Sequence, residues 1–169
     1  ISCYNRVRLE GSYARVGYTM DAVRGDEVWN SSQQWYLEYD NLNSPGTIGI
    51  GDEWIWRDWY HVVNRTNFVL SKVDHADLSE KTYNEIAGQA LFLRALAYFE
   101  LTTYYQAVPL IIDYADYADI NTMYASNKPE EEGVSQQDLV FDQIELDLKK
   151  AAEMLPSRDD GGEWAKGRA

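Results

Sequence analysis

Two stretches of the chain carry the residue types that bind or cut polar ligands. "GDEVWNSSQQWYLEYDN" (residues 25–41) sets Asp26 and Glu27 among Trp29, Trp35, Tyr36 and Tyr39. A similar start returns as "GDEWIW" (residues 51–56). Hydrolysis of a glycosidic bond needs two carboxyl groups about 5 to 9.5 Å apart, one of them with a raised pKa. Asp26 and Glu27 are sequence neighbours, so in helix or strand they point in different directions. A pair joining Asp26 or Glu27 to Asp52 or Glu53 is conceivable, but in a chain of net charge -13 accidental carboxylate pairs are common. Binding chemistry suits the stretch better. A sugar has an apolar C–H face and a rim of hydroxyls, and so takes a flat ring on one side and amides or carboxylates on the other. Trp29, Trp35, Tyr36 and Tyr39 supply rings; Asn30, Gln33, Gln34, Asp26 and Asn41 supply partners for the rim. The bland alternative has the same rings plugging the top of a helical array.

Other groups with chemical potential have structural explanations. The spacing of Trp54, Trp56 and Trp59 with Val63 puts two or three of them on one helical face, and they read as core. Arg94 lies in an apolar run and is expected to be compensated by a carboxylate or by backbone carbonyls, since a buried cation needs a partner. His61 and His75 have no Cys or His partner at metal-site spacing. Asp113, Asp116 and Asp119 form an acidic loop whose spacing of three differs from the alternating pattern of Ca²⁺ loops. No cofactor is expected: the chain has no Gly-rich phosphate loop, nucleophile elbow or Cys–His pair.

Composition bounds the class. The chain has 169 residues, 45% hydrophobic and 14% aromatic, with thirteen Tyr and six Trp. That suffices for a sizeable core with rings to spare. A net charge of -13 argues against nucleic acid, which needs a Lys/Arg footprint, and against an anionic membrane surface. Cys3 is the single cysteine, so no intrachain disulfide forms. No apolar run approaches the roughly 20 residues of a membrane span.

Helices must position these residues. Residues 52 to 74 predict a helix with Trp56, Trp59, Val63, Phe68 and Leu70 along one stripe. Asp77 with Glu80 fits a capping box opening a second helix to about Tyr105, apolar enough to be covered on several sides. Pro109 ends it. Residues 113 to 134 read as a long loop, and Ser135 with Asp138 opens a third helix. That helix places Leu139, Phe141, Ile144, Leu148, Ala152 and Leu155 on its inner face and stops at Pro156. The first 24 residues fit a helix from about Tyr4. Long antiparallel helices and the lack of convincing strand pairs give an all-α class.

Four pieces of the chain, in order, resemble the SusD/RagB family. "QALFLRALAYFELTTYYQAVPLI" is similar to its Ala-x-Phe-Leu-Arg-Ala-x-x-Tyr-Phe run leading to Val-Pro-Leu. "WRDWYHVVNRTNFVLSKVD" resembles its Trp-x-x-x-Tyr-x-x-Ile-x-x-Ala-Asn-x-x-Leu helix. "VSQQDLVFDQIELDLKKAAEMLP" resembles its Val-Tyr-x-x-Ile-x-x-Asp-Leu-x-x-Ala helix. The closing "KGRA" is similar to the Gly-Arg-Ala that starts a further helix. One departure is local: the usual Tyr-Gly-Asp/Gly before Val-Pro is Tyr105-Gln106-Ala107 here. The resemblance implies an all-α scaffold of tetratricopeptide-like antiparallel helix pairs with long ligand-facing loops. It implies that residues 1–169 are a single helical domain, the N-terminal part of a longer protein. It further implies a non-enzymatic lipoprotein on the outward face of the outer membrane, its lipid anchor outside this chain. The partners so implied are an oligosaccharide or other nutrient and a SusC-type TonB-dependent transporter. A carbohydrate site on Asp26, Trp29, Asn30, Trp35, Tyr36 and Tyr39 is the expectation. A helical interaction module that docks to the transporter with no small ligand of its own is the alternative.

Overall fold

Caps and apolar spacing set where the helices begin and end. The computed structural model describes residues 2–23, 25, 28, 50–114 and 133–156. These form α1 (Ser2–Val7), α2 (Arg15–Val23), α3 (Ile50–Val73), α4 (Glu80–Tyr105) and α5 (Gln136–Met154). The described residues are all helix, turn or unpaired extended chain, in keeping with the expected all-α class. The contacts fall into two units, Ile1–His61 and Val62–Ala169.

In the first unit the expected single helix from Tyr4 is two helices. The chain turns between them at residues 8–14, where Gly11 donates its backbone N–H to Asp58 Oδ2 at 2.7 Å. A helix through this point would have committed that N–H to its own ladder. Trp59 is 1% exposed, with Ile55 and Asp58 buried beside it on α3. Trp54 and Trp56 are half-buried, so the packing role expected of the three tryptophans belongs fully to Trp59 alone.

In the second unit α4 runs antiparallel to both α3 and α5, the tetratricopeptide-like pairing. Asn67 on α3 and Asp147 on α5 both bond Arg94 on α4. Leu91, one turn before Arg94, packs with Ala151 and Leu155, one and two turns beyond Asp147, and with Leu70. The cap of α4 is Ser79, whose side chain accepts from Thr82 N; the Asp77–Glu80 box expected from sequence does not form the cap. The Ser135–Asp138 box opens α5 as expected. The inner face of α5 is Val140, Ile144, Asp147 and Ala151; Ile144 and Leu155 are buried as expected, but the face as a whole is rotated, leaving Phe141 43% exposed. Asp147 causes the rotation. It must face inward to meet Arg94, and every residue at helical spacing from it turns inward too. The apolar cover expected around α4 is incomplete, with Phe99 49% exposed.

Candidate functional site

The six residues assigned to a carbohydrate site, Asp26, Trp29, Asn30, Trp35, Tyr36 and Tyr39, lie outside the described residues. So do Glu27, Gln33, Gln34 and Asn41, and Asp116 and Asp119 of the acidic stretch. The structure does describe the two helix ends between which residues 24–49 run. Val16, Met20 and Val23 bury one face of α2. That face lies against the first turn of α3: a Cβ added at Gly51 would fall 2.6 Å from Met20 Sδ and 3.5 Å from Val16 Cγ1. The close approach holds the last turns of α2 beside the start of α3.

These ends are themselves braced. Asp58, 2% exposed, accepts from Gly11 N and, at 2.8 Å, from Arg57 Nε. A Cβ on Gly11 would lie 2.0 Å from the Trp54 carbonyl oxygen, so the turn between α1 and α2 sits directly on the backbone of α3. Tyr13 meets Trp59 edge to face at 5.1 Å, and Arg15 pairs with Glu10 at 2.6 Å. Asp52 and Glu53, weighed as carboxylate partners, stand in the first turn of α3, where the helix dipole favours negative charge. "GDEWIW" is therefore a helix start. Arg57 stacks over Trp54 at 5.6 Å, and its own pKa is raised by the hydrogen bond to Asp58.

The second unit holds its own buried polar centre. Arg94 meets the carboxylate of Asp147 through two nitrogens, at 2.7 and 2.8 Å, with side-chain exposures of 8% and 1%. Its third nitrogen donates to Asn67 Oδ1 at 2.8 Å and to Ile112 O at 2.9 Å. The expected carboxylate and carbonyl compensation of Arg94 is thus present in full. Sequence reasoning missed the role of Asn67, although it stands at the Asn of the motif "WRDWYHVVNRTNFVLSKVD".

The resolved pKa shifts mark structural contacts. Tyr83 is raised by its hydrogen bond to Asp74, and Tyr4 by burial. Asp138 is lowered by the Ser135 backbone and hydroxyl, Glu145 by Lys149. Among the described residues no group of three or more His, Cys, Asp or Glu side chains could hold a metal ion. No described helix is long and apolar enough to cross a membrane.

Comparison with known proteins adds a family and a fold. A model of SusD-like proteins, described as starch-binding associating with outer membrane, matches residues 6–161. Among solved structures, a laminarin-binding SusD-like protein aligns with a TM-score of 0.73 at 24% identity, over 98% of this chain and 35% of its own. A SusD-like protein from Bacteroides fragilis NCTC 9343 aligns with a TM-score of 0.70 at 24% identity, over 97% and 30%. A SusD-like carbohydrate-binding protein from Bacteroides vulgatus ATCC 8482 gives 0.65 at 26% identity, over 86% and 30%. The chain therefore spans about a third of these relatives. No curated protein matches significantly.

Proposed function

This chain belongs to the SusD-like family, starch-binding and associated with the outer membrane, and from that premise we propose that it captures oligosaccharide outside the cell and passes it to a SusC-type TonB-dependent transporter. The observation that carries the reading is the family match over residues 6–161. The protein catalyses nothing in this role. It faces outward, held by a lipid anchor.

Trp29, Trp35, Tyr36 and Tyr39 stack on sugar rings, while Asp26 and Asn30 bond hydroxyls. The composition of the segment sharpens the ligand. Residues 25–49 contain Asp26, Glu27, Glu38 and Asp40 but no Lys, Arg or His. A carboxylated or sulfated glycan would find no cation there, and its charge would meet four carboxylates. An uncharged saccharide is the fitting ligand, and a laminarin-binding relative is in accord with it.

Calorimetry with uncharged oligoglucosides and a uronate oligomer of equal length tests this reading. Binding of the uncharged series alone is expected, weakened at least about tenfold in the Trp29→Ala/Trp35→Ala double variant, since each stacked ring contributes on the order of 1 kcal/mol. Unchanged affinity in that variant removes the site assignment. Flat titrations against every glycan, with co-purification of a membrane barrel, would favour a docking module instead.

A further inference from the structure

The segment Val108–Asp113 leaves the end of α4 as extended chain with no strand beside it among the described residues. Its backbone groups bond to side chains instead. Tyr98 Oη donates to Ile111 O at 2.8 Å and accepts from Ile111 N at 2.6 Å. Asn67 Nδ2 donates to Ile111 O at 2.9 Å and to Asp113 O at 3.3 Å. Arg94 donates to Ile112 O, and Gln136 Nε2 to Val108 O at 3.0 Å. The segment is a strap tied down by residues of α3, α4 and α5.

Arg94, on α4, is the member that joins α3 and α5. One edge of its guanidinium is committed to both oxygens of Asp147 on α5. The fork is planar and rigid, so fixing that edge also fixes the direction of the remaining nitrogen, which reaches Ile112 O and Asn67 Oδ1. The bond to Asn67 Oδ1 in turn points the Asn67 amide nitrogen at the strap. Gln143 holds Asp147 from behind, donating to Oδ1 at 2.8 Å. A chain of oriented groups thus runs from Gln143 through Asp147, Arg94 and Asn67 to the carbonyls of residues 111–113.

We propose that Arg94 makes the docking of α5 and the seating of the 108–113 strap one cooperative event, so that loosening Asp147 frees a strap to which Asp147 contributes no hydrogen bond. The coupling depends on the fork and not on charge alone.

Hydrogen exchange at the Ile111 amide, which is bonded to Tyr98, reads the strap directly, with the Val63 amide of α3 as reference. Asp147→Asn is expected to speed exchange at Ile111 by about tenfold or more while Val63 keeps its protection. Arg94→Lys, which keeps a cation beside Asp147 but lacks the fork, should do the same; Tyr98→Phe sets the value for direct release. If Asp147→Asn does not fold, Gln143→Ala reads the same amide with a smaller change in the same direction. Parental exchange at Ile111 in the folded variants overturns the proposal. So does an equal acceleration at Ile111 and Val63, which would mean general loosening instead of release of the strap.

Discussion

Gln106 ends α4 with φ 61° and ψ -93°, a backbone state that is rare and strained for a residue with a Cβ. It is held there from both sides: its N–H donates to Thr102 O at 2.9 Å, and its carbonyl accepts from Thr102 Oγ1 at 2.5 Å. The family pattern carries Gly at this turn, and the geometry supplies the reason. Gln106→Gly should stabilise the protein by about 1 kcal/mol, because the exposed side chain gives up no buried contact. Denaturant titration would register it as a higher midpoint with an unchanged slope. Gly11 is the opposite case. Gly11→Ala drives a Cβ into the Trp54 carbonyl and parts the Gly11–Asp58 bond, leaving a buried carboxylate short of a donor. A loss of roughly 3 kcal/mol or more is expected in the same titration.

Helices bring residue chemistry into register, and here their ends and faces can be tested separately. Ser79→Ala should cost about 1 kcal/mol, whereas Asp77→Ala, exposed and outside the cap, should stay within about 0.5 kcal/mol. Both residue types cap well and stand two positions apart, so local sequence offered two candidates. The turn that bonds Leu78 N to Ala76 O chose between them. At the start of α5, Asp138 has its pKa lowered from 3.8 by the Ser135 backbone and hydroxyl. A carboxyl depressed on folding adds stability that is fully present above its unfolded value of 3.8 and is lost as pH falls through the lower folded value. The stability difference between the parent and Asp138→Asn should therefore be constant near neutrality and shrink below about pH 4. Periodicity made the spans of α3, α4 and α5 legible, but neither the split of the first 24 residues into two helices nor the whole inward face of α5. A reading that counts apolar residues puts Phe141 inside, and only the demand of Arg94 for Asp147 turns the helix the other way. Asp147→Ala, which strands that guanidinium, should cost roughly 3–5 kcal/mol.

Over the whole molecule, three of the motif pieces that carry the family resemblance converge on one point. Asn67, Arg94 and Asp147 come from different helices and meet in one buried hydrogen-bonded set. Spacing along a single helix could not announce that meeting, because each partner is dozens of residues away; the resemblance flagged the positions without their roles. Residues 30–34, between the candidate rings, are polar and show no apolar period, so sequence offered the chemistry of the rings without their arrangement. The net charge of -13 acts on the entire surface, and it separates two kinds of partner. Affinity for an uncharged oligosaccharide should be flat between about 0.05 and 0.5 M salt, whereas a basic peptide held by the general field should be lost over that range. The seat of Gly11 on α3 also bears on how this protein responds to random change. A scan of all substitutions scored by growth on a glycan would show position 11 as intolerant as any ligand contact, although nothing there need touch a sugar. Scored by protein abundance, position 11 should remain dark while Trp29 and Trp35 turn permissive. The difference between those two maps, more than either alone, would draw the outline of the binding surface.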